Sequence, residues 1–229
     1  MTKIEWADEV INLVTGCTPC STGCDNCYAK TMHRRLRGMG SKKYLQPFSE
    51  VRCWPDELNK IAKVPAGKRV FINSMGDLFH KDVPERFIAN ILAAMATRPD
   101  VTFMLLTKRA KRLGEIARLV EIPRNVWCGV TVCNQSEVDD KLPLLLQVSA
   151  TVRFLSIEPM LAKITLPAQH ADWVIVGGET GPGARPLDLE WAISIRWHCE
   201  MANIPFFFKK VGGKRETPES LQVRELPSK

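Results

Sequence analysis

The stretch Thr15–Lys30, TGCTPCSTGCDNCYAK, packs Cys17, Cys20, Cys24 and Cys27 into one short loop. Cys20, Cys24 and Cys27 stand in the spacing C-x3-C-x2-C. Three thiolates so close in sequence can hold three irons of a [4Fe-4S] cube and leave the fourth iron open to a second cofactor. The same residues also read as two C-x2-C pairs, Cys17 with Cys20 and Cys24 with Cys27, which would close a tetrahedral zinc site. Zinc ribbons separate such pairs by about 15 residues or more, whereas Ser21, Thr22 and Gly23 alone intervene here. Disulfides are the third reading. No leader-like segment precedes the loop, and Cys53, Cys128, Cys133 and Cys199 are scattered through apolar contexts, as in a reducing, cytoplasmic setting.

Working outward, short apolar runs alternate with helical patterns, the signature of a parallel α/β architecture. Strands are predicted at 10–14, 69–74, 102–107, 126–132, 152–157, 173–176 and 205–208. Most are apolar without alternation, which implies burial on both faces. Helices are predicted at 29–36, 84–96, 110–119, 136–147 and 189–201. Asp82 is placed to cap the second, with Pro84 and Glu85 in its first turn, and Asp188 to cap the last. Residues 39–67, with Pro47, Pro55 and Pro65, read as an irregular insertion over one barrel mouth. Residues 1–213 read as a single domain, and 214–229 as a loose polar tail.

In such folds, loops at the C-terminal ends of the strands build the site. Polar residues gather at those ends: Ser74, Met75, Gly76 and Asp77 after the second strand, Lys108 and Arg109 after the third, Thr131, Cys133 and Asn134 after the fourth. Glu158 follows the fifth, Gly177, Gly178 and Glu179 the sixth, and Lys209 and Lys210 the seventh. Asp77, Glu158 and Glu179 would repel one another unless they met donors or cations. Lys108, Arg109 and Lys209 are suitable partners, and a ligand with an amino group, a ribose and an adenine is the other.

The chain has 229 residues, 45% of them hydrophobic, and a net charge of +7. That supports a substantial core and favours an anionic partner, with nucleic acid or a nucleotide the expected class. The densest basic stretch, His33 to Lys43, follows the cysteine loop and reads either as a solvated helix end or as a phosphate-facing patch. No apolar run reaches the roughly 18 residues that mark a membrane span.

Taken together, KIEWAD, VTGCTPCSTGCDNCYAK, VFINSMGDLFH, LLTKRAKRL, NVWCGVTVCNQ, FLSIEPML, DWVIVGGETGPGARPLD and IPFFFKKVGG resemble a bacterial and phage three-cysteine-motif family related to radical S-adenosylmethionine (SAM) enzymes of the spore photoproduct lyase kind. The resemblance implies a partial (β/α)6-like TIM barrel with mostly parallel strands, a [4Fe-4S] cluster at its mouth and SAM across the strand ends. It also implies reductive cleavage of SAM to a 5′-deoxyadenosyl radical, an external electron donor, and a nucleic-acid base or nucleotide as substrate, in DNA modification or repair.

The family's C-x6-C-x2-C pattern selects Cys17, Cys24 and Cys27, whereas the wider radical SAM pattern selects Cys20, Cys24 and Cys27. Ser74 to Asp77 would meet the methionine moiety, Glu158, Gly177 and Gly178 the ribose or adenine, and Lys108 and Arg109 a carboxylate or phosphate. Glu179 belongs to the same cofactor-binding set. Radical SAM enzymes usually place an aromatic residue before the last cysteine, where this chain has Asn26 with Tyr28 beyond it. Two rival readings remain: a nucleic-acid-binding protein with a structural cluster or zinc, and a phage accessory protein acting with a partner subunit.

Overall fold

The computed structural model describes residues 4–167, 171–181, 183–213 and 215–228. In chain order these form β1 (Glu9–Ile11), β2 (Val14–Thr15), α1 (Tyr28–Gly38), β3 (Arg52–Cys53), α2 (Asn59–Ala62), β4 (Arg69–Ile72), α3 (Glu85–Ala96) and β5 (Thr102–Thr107). There follow α4 (Ala110–Leu119), β6 (Val126–Thr131), α5 (Gln135–Leu146), β7 (Arg153–Ile157), β8 (Trp173–Val176), α6 (Leu189–Met201) and β9 (Phe206–Phe208). One sheet runs β1-β4-β5-β6-β7-β8-β9, with every pairing parallel. Sequential parallel strands need crossovers, and α3, α4, α5 and α6 supply those into β5, β6, β7 and β9 on one face. Among the described residues, no helix is long and apolar enough to cross a membrane.

Alternation along the strands divides the core in two. Outward residues such as Val70, Phe103, Leu105, Val130, Leu155, Val174 and Phe206 pack beneath the helices. Inward residues Phe71, Met104, Trp127, Phe154, Trp173 and Phe207 meet Trp6 inside the sheet's curve. Trp6 touches the rings of Phe71 on β4, Phe154 on β7 and Trp173 on β8, at centroid distances of 4.8, 6.3 and 6.2 Å. Strands that far apart in the order share one indole because the sheet curls into a half-barrel. This is the expected partial TIM barrel, with seven strands. Toward the C-terminal ends of the strands the inward positions turn polar, with Thr131 and Ser156 buried and Glu158 and Lys209 half-buried. The half-barrel thus has an aromatic floor and a polar upper level.

Three expectations need correction. The predicted first strand breaks after Ile11, because Asn73 at the end of β4, held at φ 67°, takes the Leu13 and Val14 N–H groups onto its Oδ1 at 2.7 and 2.9 Å. The chain therefore turns out of the main sheet, and β2 pairs antiparallel with β3. Asp82 does not cap α3. Pro84 holds the cap position and Asp82 pairs instead with Lys81, whereas Asp188 does cap α6, accepting from the Glu190 N–H. The polar C-terminal segment is not loose. Leu221 is fully buried, the Phe208 N–H donates to the Val223 carbonyl, and the Glu225 N–H donates to that of Phe206. The segment thereby covers the open edge of β9, an edge that would otherwise invite pairing with another chain; its few apolar residues alternate among charges that hide them in the composition. The irregular insertion contributes Phe48 to the barrel mouth, while its Ile61 and Val64 join the outer core.

Gly129 marks the tightest point of the floor, since a Cβ there would lie 2.4 Å from the Phe154 ring. Gly129→Val is expected to destabilise the fold by about 1–3 kcal/mol through overpacking. Phe154→Leu in the same chain should recover part of that loss, as read from denaturant midpoints.

Candidate functional site

Above the aromatic floor lies a chamber of about 400 Å³, enclosed by the strand ends below and the cysteine loop above. The loop contributes Cys17, Cys24 and Cys27, and α1 contributes Tyr28. The sheet contributes Asn73, Ser74, Gly76 and Asp77 after β4, Lys108 and Arg109 after β5, Thr131 on β6, and Ser156 and Glu158 from β7. Gly178 and Glu179 follow β8, and Lys209 and Lys210 follow β9. The strand ends singled out from the sequence therefore do converge. Met75 and Gly177 are not in the wall. Met75 is buried with its backbone carbonyl accepting from Gly16 N–H, and Gly177 lies behind Glu158. Cys20 is exposed and is also outside the wall.

The loop is clasped at three points by charged side chains. Asp77 accepts from the Phe79 N–H and the Thr107 hydroxyl at 2.9 and 2.8 Å, and from Arg109 Nη1 at 3.1 Å. Arg109 in turn donates to the Thr18 carbonyl at 2.9 Å and lies 3.3 Å from Cys20 Sγ and 3.7 Å from Cys17 Sγ. Buried His80 meets the Thr18 hydroxyl at 2.8 Å. On the second side, the Ser21 hydroxyl donates to Glu137 at 2.6 Å, and Glu137 also accepts from Lys141 and the Cys133 N–H.

On the third side, Glu179 accepts from Asn26 Nδ2 at 2.8 Å and from the backbone N–H and side chain of Arg185, which also reaches Asp25 and the Thr22 carbonyl. Burial opposes ionisation of Glu179, but Arg185 and Asn26 outweigh it and hold the carboxyl at about 2. The same contest, won by Ser21 and Lys141, holds Glu137 below the usual range.

The thiols are unequal. A hydrogen bond from Cys20 pulls Cys24 down to about 5, helped by Lys108, and the same shared proton raises Cys20. Burial and the charge of Asp77 push Cys17 up to about 11 against the pull of Arg109. Gly23 passes so close to β6 that a Cβ would lie 2.3 Å from Cys133 Sγ. Cys133 itself is buried beneath the loop. Among the described residues, no three His, Cys, Asp or Glu side chains are grouped to hold a single metal ion. Glu158 pairs with Lys209 at 2.9 Å and leaves its second oxygen with a long contact, 3.4 Å, from Ser156.

Several residues that build the site carry no obvious signal. Glu137 could have been found: Asn134 caps α5 and Glu137 stands three residues later, a capping-box spacing. Ser21, Asn26, His80 and Arg185 lie in loops whose meeting depends on the barrel closing first.

A half-barrel of parallel strands curled in this way is a partial TIM barrel, with the cysteine loop clasped over its C-terminal strand ends. The chain belongs to the family described as protein of unknown function (DUF5131), which matches residues 1–226. A comparison with curated proteins found no match. Among solved structures, the fold is similar to a spore photoproduct lyase carrying a single cysteine-to-serine substitution, with a TM-score of 0.60 at 12% identity over 90% of this chain and 77% of that one. It is equally similar to a doubly substituted spore photoproduct lyase with bound AdoMet and dinucleoside spore photoproduct, with a TM-score of 0.60 at 12% identity and the same coverage. A spore photoproduct lyase complexed with dinucleoside spore photoproduct gives 0.59 at 13%.

Arg185→Ala leaves buried Glu179 short of donors, at an expected cost of about 1–3 kcal/mol, seen as faster amide exchange across residues 22–26. Because Glu179 is held at about 2 against an ordinary 4.5, its contribution is complete above about pH 4.5 and is lost as pH falls through about 2. The variant should lose loop protection at a higher pH than the parent.

Proposed function

We propose that this chain is a radical SAM enzyme that carries a [4Fe-4S] cluster on Cys17, Cys24 and Cys27. The observation that carries the reading is that these three thiols line the same chamber as the polar ends of the barrel strands. Soft thiolates suit iron-sulfur ligation. A closed zinc site would need four thiolates on one ion, and exposed Cys20 stands outside the chamber. The AdoMet bound by one structural neighbour supports SAM as the second cofactor.

When bound, a cluster with an open iron would supply the electron that cleaves SAM to a 5′-deoxyadenosyl radical, which takes hydrogen from the substrate. The chain's own residues position and enclose. Ser74 and Gly76 would hold the methionine end of SAM, and Glu158 and Gly178 its ribose and adenine. Lys108, which meets no carboxylate among the described residues, is a cation available to a ligand carboxylate. Asp77, Arg109 and Glu179 are committed to protein partners and act as positioning residues for the loop. The half-exposed Tyr28 ring, its hydroxyl turned in to the Ser74 carbonyl, shields the chamber lip where an aromatic residue before the last cysteine would otherwise stand. An external electron donor completes the scheme, and the reducing cytoplasm is the setting that suits it.

Anaerobic reconstitution of the full chain should load about four irons and four sulfides. With dithionite and SAM, chromatography should then detect 5′-deoxyadenosine. Cys17→Ser, Cys24→Ser or Cys27→Ser is expected to empty the site, and Cys20→Ala to keep most of the iron. Iron lost from Cys20→Ala but kept by Cys17→Ser would reverse the ligand choice. A loaded protein that makes no 5′-deoxyadenosine would remove the enzyme reading.

A further inference from the structure

Helix α1 leaves the cysteine loop directly and carries an unusual surface. Its inner face, Ala29 and His33, is buried, with the His33 ring set edge-on against Tyr44 and Phe48 at 5.4 Å each. That docking fixes what the helix shows to solvent. Lys30, Arg34, Arg35 and Arg37 are all exposed, and α1 has no acidic residue. Among the described residues none of these four cations meets a carboxylate. Three basic side chains near the chamber, by contrast, have such a partner: Arg109 holds Asp77, Arg185 holds Glu179 and Lys209 holds Glu158. The α1 cations are therefore a concentrated charge that the fold does not use.

The same helix and its C-terminal cap, Met39, expose apolar side chains. Tyr28, Met32 and Met39 are 51%, 39% and 70% exposed. With Arg35 they follow one another at intervals of four, three and four residues, which is a single row along a helix. The row starts at the chamber, because Tyr28 is part of its wall. Lys30, Arg34 and Arg37 line the opposite edge of the exposed face, with exposed Thr31 and Gly38 between them and the row. A solvent face with an apolar row along one edge and unpaired cations along the other fits a flexible polyanion whose flat apolar bases and phosphates lie on opposite sides of its strand. Single-stranded nucleic acid has that chemistry: phosphates on the arginines, bases on the tyrosine ring and methionine thioethers.

We infer that α1 is a track for single-stranded nucleic acid, which it guides past Tyr28 into the chamber. The inference rests on the chamber being the reaction site, since it supplies that site's substrate class. The binding itself requires no radical chemistry.

The test uses the full-length reconstituted protein and a fluorescent oligodeoxythymidine, with affinity read by anisotropy across a salt series. The variant is Arg34→Gln, Arg35→Gln and Arg37→Gln together, all at exposed positions. The control is Lys68→Gln, Arg118→Gln and Arg124→Gln, which removes equal charge at the opposite ends of the strands. The track variant should bind at least tenfold more weakly and flatten the slope of log K against log salt by about 2, at roughly 0.7 for each phosphate no longer neutralised. The control should bind as the parent does.

Met32→Ser should weaken binding while leaving the salt slope unchanged, as expected for a base contact. Equal losses in the track variant and the control would overturn the inference, as would inorganic polyphosphate competing as well as the oligonucleotide at equal charge. The cluster's spectrum and its response to SAM, recorded on the same samples, report separately on the proposed chemistry. A failed track with an intact SAM response, or the reverse, identifies which reading is wrong.

Discussion

The loop from Cys17 to Cys27 has almost no regular backbone hydrogen bonding, so its shape depends on carboxylates planted around the barrel mouth. Asp77 works through Arg109 on Thr18, Glu137 holds Ser21, and Glu179 holds Asn26 directly and Thr22 and Asp25 through Arg185. Each carboxylate is at or near the end of a different strand. Half-buried and buried charges of this kind are tolerated because nearly every oxygen has a donor. Removing a donor costs more than the bond itself, since it strands the acid in a site built for its ion.

This clasp works because the sheet is parallel and curled. Parallel strands send all their C-terminal ends to one side, and curling brings those ends around a common space. The floor is closed by Trp6, Phe154 and Trp173, whose packing sets the curvature, and the next inward level is polar. Hydrophobic burial and site chemistry are thus separated by one alternation step on β4, β7 and β9, where Phe71, Phe154 and Phe207 give way to Asn73, Ser156 and Lys209. The glycines at 129 and 23 mark where the two levels leave no room for a side chain: one yields to the Phe154 ring, the other lets the cysteine loop rest on Cys133.

Much of this was legible in the sequence. The continuous apolar runs located the strands of the parallel sheet because both faces of that sheet are buried, and α4 and α6 fell where their periodicity put them. The convergence of Ser74, Asp77, Lys108, Glu158 and Glu179 followed from parallel topology alone. The role of Asn73 was hidden because it depends on a left-handed backbone and on two N–H groups some 60 residues away. Arg185 was hidden in the same way, in a glycine- and proline-containing loop that resembles a simple turn. The docking of the C-terminal segment was hidden because Leu221 and Val223 are embedded among polar neighbours, and composition averages them away. The ambiguity between Cys17 and Cys20 is intrinsic to spacing. It is addressed by which thiol faces the chamber, a property of the folded loop.

The most direct test of the account is electron paramagnetic resonance of the anaerobically reconstituted, reduced protein with and without SAM. A [4Fe-4S]+ signal that changes when SAM is added is the predicted result, because it requires an open iron facing the chamber. A protein that takes up no cluster, or one whose signal SAM leaves unchanged, would contradict the account and make the cysteine loop a structural element.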